Sequence, residues 1–279
     1  TLRSIELQKI NFEIEWIVLD GSDQTIEISV GRYTTCGIYQ GEIRCWGDQT
    51  ELVPQSVNPL SVQVGSHKDP FGCMLDANKA IQCWGQFSFQ FFTENYGALG
   101  VGSRHACALS SEGDVFCQGS AASSVDDNIP TDKLVRLSTG AEHVCGINTS
   151  QETICWGDDE NGQSTPPQTT FVDVSAGGNF SCGLTREGIV ECWGGNDKEQ
   201  LNVPEDIYKS ISAGWDHVCA LRDSDEIVCW GQSQGSTPTG AFLNVLSGRN
   251  YSCALNTDEE VVCWGNGDYG GSFNNGVTA

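Results

Sequence analysis

The sequence is short of basic residues: 14 lysines and arginines stand against 37 aspartates and glutamates, for a formal charge of -23. Such a chain repels a phosphate backbone, which argues against a nucleic-acid partner. No apolar run approaches the length of a membrane span, so neither bilayer insertion nor a leader segment is read from it. There is no CxxC pair, and the four histidines do not accompany the cysteines at ligand spacing, which argues against a metal site. A nucleophile-base-orienter set, a paired-carboxylate signature and a phosphate loop are also missing, so the reading is a chain without cofactor or catalysis.

What the sequence does have is repetition. The stretch from Phe171 to Gly194 recurs in variant form six more times. The glycine before the first cysteine stands at Gly31, Gly65, Gly102, Gly140, Gly177, Gly214 and Gly248, with spacings of 34, 37, 38, 37, 37 and 34 residues. A branched aliphatic lies three residues before each glycine, as at Val174, and another lies two after the first cysteine, as at Leu184. With Val190 two before the second cysteine, the apolar period of two is that of a strand pair. The residue between them, Gly183 or its equivalents, is mostly small and suits close packing of one sheet against the next.

The cysteines fix the register. Placing Cys182 opposite Cys192 sets Leu184 opposite Val190 and leaves Arg186-Glu187-Gly188 as a three-residue loop closed by a left-handed glycine. In the first unit one residue fewer leaves Gln40-Gly41 as the loop, and Lys79, Gln151 and Glu259 replace the loop glycine elsewhere. Fourteen cysteines, two per unit, predict the bridges Cys36 to Cys45, Cys73 to Cys83, Cys107 to Cys117, Cys145 to Cys155, Cys182 to Cys192, Cys219 to Cys229 and Cys253 to Cys263. Each closes a short loop worth about 2 to 3 kcal/mol if unstrained. Such usage predicts an oxidising, extracellular or cell-surface address.

Residues 1–25 lie outside the repeat. Their alternating apolar positions from Ile10 to Val18 predict a strand that closes the ring, contacts a neighbouring domain or subunit, or mediates self-assembly. Residues 26–279 form the array. The tryptophans after the second cysteine, Trp46, Trp84, Trp156, Trp193, Trp230 and Trp264, are expected in the core between units. The Phe-rich stretch from Phe87 to Phe92 is expected to pack under a connector. The acidic run from Asp158 to Gly162 lacks the EF-hand spacing and is expected as a solvated turn.

The string G-x-x-H-x-C-A-L at Gly102 to Leu109 and Gly214 to Leu221, followed by V-x-C-W-G and by G-Q-x-x-x-P from Gly162, resembles the regulator of chromosome condensation repeat. The paired cysteines are similar to those of its secreted branch, which includes crinkly-type receptor ectodomains and a propeller that inhibits β-lactamase. The resemblance implies an all-β, seven-bladed β-propeller, one disulfide per blade, that binds proteins through loops on one face. The nuclear founder's nucleotide exchange on a GTPase does not carry over to an acidic, disulfide-rich chain.

Loops between the glycine and the first cysteine gather at one end of the blades, and hairpin tips at the other. The first set carries Arg32, Tyr33, His67, Arg104, His105, Glu142, His143, Asn179, Phe180, Trp215, Asp216, His217, Arg249, Asn250 and Tyr251. From these, Trp215, Asp216, Tyr33, Arg32, Arg104, Glu142, Arg249 and Tyr251 are the candidate binding residues, because Trp, Tyr and Arg anchor protein interfaces. Two residues before the first cysteine the side chain is bulky in six units of seven, so the histidines there read as a structural slot. Trp215 fills a slot that is not aromatic in any other unit, so repeat packing does not require it. Asn148, Asn179 and Asn250 are sequons and candidate glycosylation sites. The resulting expectation is a non-catalytic module that binds a protein partner. The alternatives are a carbohydrate-binding propeller or a structural subunit of a surface filament or receptor.

Overall fold

The computed structural model describes residues 17–19, 24–39, 41–47, 53, 58–66, 71–87, 95–120, 125–126, 128–233, 235–258 and 261–265. All regular structure among them is β, in seven antiparallel sheets, one per sequence unit. Blade one holds β1 (Ile17–Leu19), β2 (Gln24–Val30), β3 (Thr34–Tyr39) and β4 (Glu42–Gly47). Blade two follows with β5 (Pro59–Val64), β6 (Phe71–Asp76) and β7 (Ile81–Gly85), and blade three with β8 (Tyr96–Val101), β9 (His105–Ser110) and β10 (Val115–Gly119). Blade four has β11 (Leu134–Thr139), β12 (His143–Asn148) and β13 (Thr153–Gly157); blade five has β14 (Asp173–Ala176), β15 (Phe180–Leu184) and β16 (Val190–Gly194). Blade six is β17 (Tyr208–Ala213), β18 (His217–Arg222) and β19 (Ile227–Gly231); blade seven is β20 (Phe242–Ser247), β21 (Tyr251–Asn256) and β22 (Val261–Gly265). The architecture is a seven-bladed β-propeller.

Every expected disulfide is present, with Cα atoms 3.9 to 4.1 Å apart. Cys182 faces Cys192 and Leu184 faces Val190, as the spacing requires. The hairpin closes through Gly188 N to Thr185 O, and Gly188 adopts φ +83. Where the loop glycine is missing, Lys79, Gln151 and Asp225 keep the same left-handed backbone, at φ 63, 65 and 68. The register of the disulfide hairpin therefore overrides the steric preference of those residues. Glu259 lies outside the described residues.

Apolar clusters fill the gaps between successive blades. Between blades five and six, Phe180, Leu184, Tyr208, Ile211 and Trp230 pack together, and between four and five Ile147, Phe171, Val174 and Trp193 do so. The indole N–H groups of Trp156, Trp193 and Trp230 donate to the backbone carbonyls of Val125, Gln163 and Gln200 at 3.1, 2.9 and 2.8 Å. Each tryptophan thus pins the connector that leads into its own blade, while its ring stays in the core. Phe87 meets Phe71 edge-on at 5.1 Å, and the rest of the Phe-rich stretch lies outside the described residues. The small residue after the first cysteine has a different cause from the one expected. A Cβ on Gly183 would lie 2.4 Å from the Phe171 ring, and one on Gly146 would lie 2.5 Å from Leu134 Cδ1. It makes room for the apolar residue that opens the blade's own inner strand.

The seven repeat glycines form a ring at the hub. A Cβ on any of them would meet the carbonyl oxygen of the glycine in the next blade at 2.4 to 2.9 Å, from Gly31 against Gly65 round to Gly248 against Gly31. None of the seven has positive φ, so close approach of backbones selects glycine here. Blade-to-blade hydrogen bonds run round this ring, from Ser66 N to Gly102 O through to Trp215 N to Gly248 O and Arg249 N to Gly31 O. The innermost strands have no further strand to pair with, and their free N–H groups need acceptors. Serines of the preceding blade supply them: Ser29 accepts from Val64, Ser138 from Ala176, Ser175 from Ala213 and Ser212 from Ser247.

Of the segment 1–25, β1 pairs with β2, Ile17 facing Ile26. Residues 10–16 of the expected strand lie outside the described residues.

Candidate functional site

The hub itself is nearly closed. The axial cavity, walled by Val30, Val64, Val101, Ala176 and Ala213, has a volume of about 30 Å³. That is room for about two waters. The hub therefore has no room for a ligand much larger than water.

The loop face shows which expected residues are available. Gly195 N bonds Asn179 O, Gln232 N bonds Asp216 O and Asp158 N bonds Glu142 O, so the outlet of each third strand is tied to the glycine-to-cysteine loop of its own blade. Arg104 and Glu142 occupy each other: Arg104 Nε donates to Glu142 Oε1 at 2.9 Å. Burial raises the Glu142 carboxyl, against the Arg104 hydrogen bond and charge.

Three blades differ. At the junction of blades six, seven and one, the guanidinium of Arg249 lies 3.5 Å from the centre of the Trp215 ring, and that of Arg32 lies 4.6 Å from the centre of the Tyr33 ring. Each is a cation held over an aromatic face. Trp215, Arg249, Arg32 and Tyr33 are all half-buried. Arg249 belongs to the next blade, so this stack crosses a blade boundary. Burial first, then the Arg32 charge, lowers Arg249 to about 10, while Asp216 and Tyr33 oppose this. Asp216, also half-buried, is raised by burial against the pull of Arg249 and Lys198.

Tyr251 does not belong to this surface. It is 0% exposed, and its hydroxyl lies 2.5 Å from that of Thr35 in blade one, so it is a seam residue. His105, His143 and His217 are equally buried. His143 Nε2 lies 2.8 Å from Ser181 Oγ and His217 Nε2 lies 2.8 Å from Ser252 Oγ, each in the following blade. Burial lowers these two histidines to about 4 and His105 to about 3. Among the described residues His105 has no hydrogen-bond partner at either ring nitrogen, and Val144 occupies the place of the serine.

The sequons are less open than expected. Asn148 is 3% exposed, its amide nitrogen donates to Glu152 and its oxygen caps Ser150 N and Glu152 N, so it is a turn residue. Asn179 and Asn250 are half-buried. Asp158 and Asp159 direct their oxygens into their own turn, to Glu160 N, Gln163 Nε2, Ser164 N and Thr165 Oγ1. His67 lies outside the described residues.

The fold and this face define a class: a disulfide-stapled, seven-bladed propeller with a closed hub and an arginine-aromatic cluster on its loop face. Within it, residues 171–200, 208–234 and 245–270 match the regulator of chromosome condensation (RCC1) repeat, and the resemblance read from the sequence holds. The chain is similar to the crinkly ectodomain of the Arabidopsis thaliana receptor kinase ACR4, at 26% identity and a TM-score of 0.73, covering 86% of this chain and 95% of that one. It is similar as well to the ectodomain of the Physcomitrella patens receptor kinase CR4, at 25% identity and a TM-score of 0.74, covering 85% and 73% of the two chains. Yeast RCC1, solved bound to Kap60, shares the fold at 15% identity and a TM-score of 0.60, over 76% of this chain and 71% of that one. No sequence among curated proteins matches the chain.

Proposed function

We propose that this chain is an extracellular, non-catalytic recognition module that binds a protein partner through its glycine-to-cysteine loop face. The observation that carries the reading is the cluster of Trp215, Arg249, Arg32 and Tyr33 over a closed hub. These residue types dominate the energetics of protein interfaces, and stacking holds them ready before a partner arrives. The similarity to two receptor-kinase ectodomains and the seven disulfides support an extracellular address. A carbohydrate would need a bare aromatic face, and Arg249 already covers one side of the Trp215 indole.

Geometry also speaks against catalysis by the Ser-His pairs. Ser181 with His143 and Ser252 with His217 have hydrogen-bond spacing, but all four residues are 0% exposed. His217 Nδ1 has no orienting partner. With the imidazoles lowered to about 4 and no path for a substrate, these pairs hold blades together.

The test is an array of extracellular proteins, with a glycan array beside it, probed with the intact chain. Binding to a protein that is lost on Trp215→Ala and kept on the hairpin-tip change Arg186→Glu is the expected result. Loss on the tip change alone overturns the choice of face, and signal on glycans without proteins selects the carbohydrate reading.

A further inference from the structure

Arg32 and Arg249 are half-buried cations in a chain with 37 acidic residues. Elsewhere Arg44, Arg104 and Arg222 each pair with a carboxylate. Among the described residues no carboxylate lies within ion-pair distance of Arg32 or Arg249, and the buried Nε of Arg32 has no acceptor. The two occupy the same position in blades seven and one, joined through Arg249 N to Gly31 O, and their guanidinia repel one another. Each is immobilised on a ring, Arg249 on Trp215 and Arg32 on Tyr33. Two neighbouring cations, ordered and unpaired, are what a planar, bidentate anion requires of its receptor.

Resting on the protein-binding reading, we propose that Arg32 and Arg249 form a subsite for one carboxylate side chain, an Asp or Glu, presented by the partner protein. An entering carboxylate accepts from both guanidinia, ends their mutual repulsion and satisfies Arg32 Nε. A polyanion is disfavoured because its remaining charges meet the field of a chain at -23. Asp216, which sits in the field of Arg249, already offsets part of the local positive charge, leaving the subsite to a single carboxylate.

Random linear peptides displayed on phage and selected on the intact chain test this. Peptides sharing an Asp or Glu should be enriched, and should weaken at least about tenfold when that acid becomes its amide, the usual worth of a charge-assisted hydrogen bond. Arg249→Gln and Arg32→Gln should each give a similar loss, Arg249→Lys a smaller one, and amide substitution should cost nothing further once both arginines are replaced. Melting curves of the variants exclude unfolding as the cause. Peptides that need Trp215 but neither arginine overturn the carboxylate subsite and leave the binding face standing. Peptides indifferent to Trp215→Ala and to both arginine changes, or a selection that enriches none, overturn both.

Discussion

The hydroxyl of Tyr251 in the last blade lies 2.5 Å from that of Thr35 in the first, so the ring closes on a bond between residues 216 positions apart. Burial pushes Tyr251 up to about 12 and keeps it protonated. The same offset recurs at two of the three histidine slots: His143 meets Ser181 and His217 meets Ser252. Where the slot is Phe71 or Phe180, the next blade presents Ala106 or Val218 at the matching position. Tyr251→Phe should therefore cost about 1 to 3 kcal/mol, chiefly by leaving the buried Thr35 hydroxyl unpaired. Adding Thr35→Val should recover most of the loss, because an apolar pair is already used elsewhere in the ring. Denaturant unfolding of the two single variants and the double measures this as a coupling energy.

His105 is the member of the slot whose partner is missing. It faces Val144, and both ring nitrogens are buried without a hydrogen bond. His105→Phe should stabilise the chain at pH 7 by about 1 to 2 kcal/mol, the order of an unsatisfied buried polar group. His143→Phe alone should do the opposite, since it removes the buried hydrogen bond between His143 Nε2 and Ser181 Oγ and leaves that hydroxyl only its bond to Gln163 O. Melting temperatures of the two variants should move in opposite directions.

The buried histidines also set an acid limit. Their folded-state values, about 3 for His105 and 4 for His143 and His217, lie below the ordinary 6.5. The unfolded chain therefore takes up protons that the folded chain refuses, and stability falls as pH drops below 6.5 toward 4. Each histidine contributes up to about 1.4 kcal/mol per pH unit in that window. Glu27 works the other way: buried, and raised well above 4.5, it costs stability as pH rises past 4.5, and so offsets at most one histidine. Glu142 and Asp216, also raised by burial, act in the same direction as Glu27, so the net loss toward pH 5 is smaller than the histidines alone would give, and a shallower slope in His105→Phe would assign part of it. Flat stability from pH 7 to 5 would contradict the assignment.

Much of this was legible in the residues, and the division has a physical basis. Contacts within one blade obey short-range rules, so the period of two and the cysteine spacing were enough to give Cys182 opposite Cys192. Contacts between blades join residues more than thirty positions apart and follow no local period. The hub role of Gly140, a van der Waals limit against Gly177 O, could not be read from one unit. The His-Ser pairing did leave a trace, because His143, His217 and Tyr251 precede Ser or Thr in the next unit, while His105 and the phenylalanines precede Ala or Val. Tyr251 was misplaced on the surface for want of that comparison. Trp215 was read as outside the repeat's packing demand, and the arginine that covers it belongs to the next unit.

The left-handed hairpin positions allow a gain. Gln151 is exposed and holds φ 65, where Gly188 holds the same place in blade five at φ +83. Gln151→Gly should stabilise by about 0.5 to 1 kcal/mol, the αL cost of a side chain less the entropy of glycine. Gly188→Ala should destabilise by more, since its Cβ would lie 2.7 Å from Ile207 Cγ2 and 2.8 Å from Tyr208 O. Denaturant midpoints of both variants check the pair.

Trp215 separates a binding role from a packing role. Its backbone belongs to the hub ring, with N donating to Gly248 O and O accepting from Gly178 N, and a substitution to alanine keeps both bonds. Its indole is half-buried beneath Arg249 and outside the apolar clusters between blades. Trp215→Ala removes a cation-ring contact worth about 0.5 to 1 kcal/mol in a partly exposed setting, so melting should move little. Partner binding should weaken by about 2 kcal/mol or more, the scale of an interface anchor. A buried packing residue would behave in reverse, with about 3 to 5 kcal/mol of stability lost. Unfolding and binding measured on the same variant decide between them, and Trp215→Phe, which keeps a ring under Arg249, should restore part of the binding.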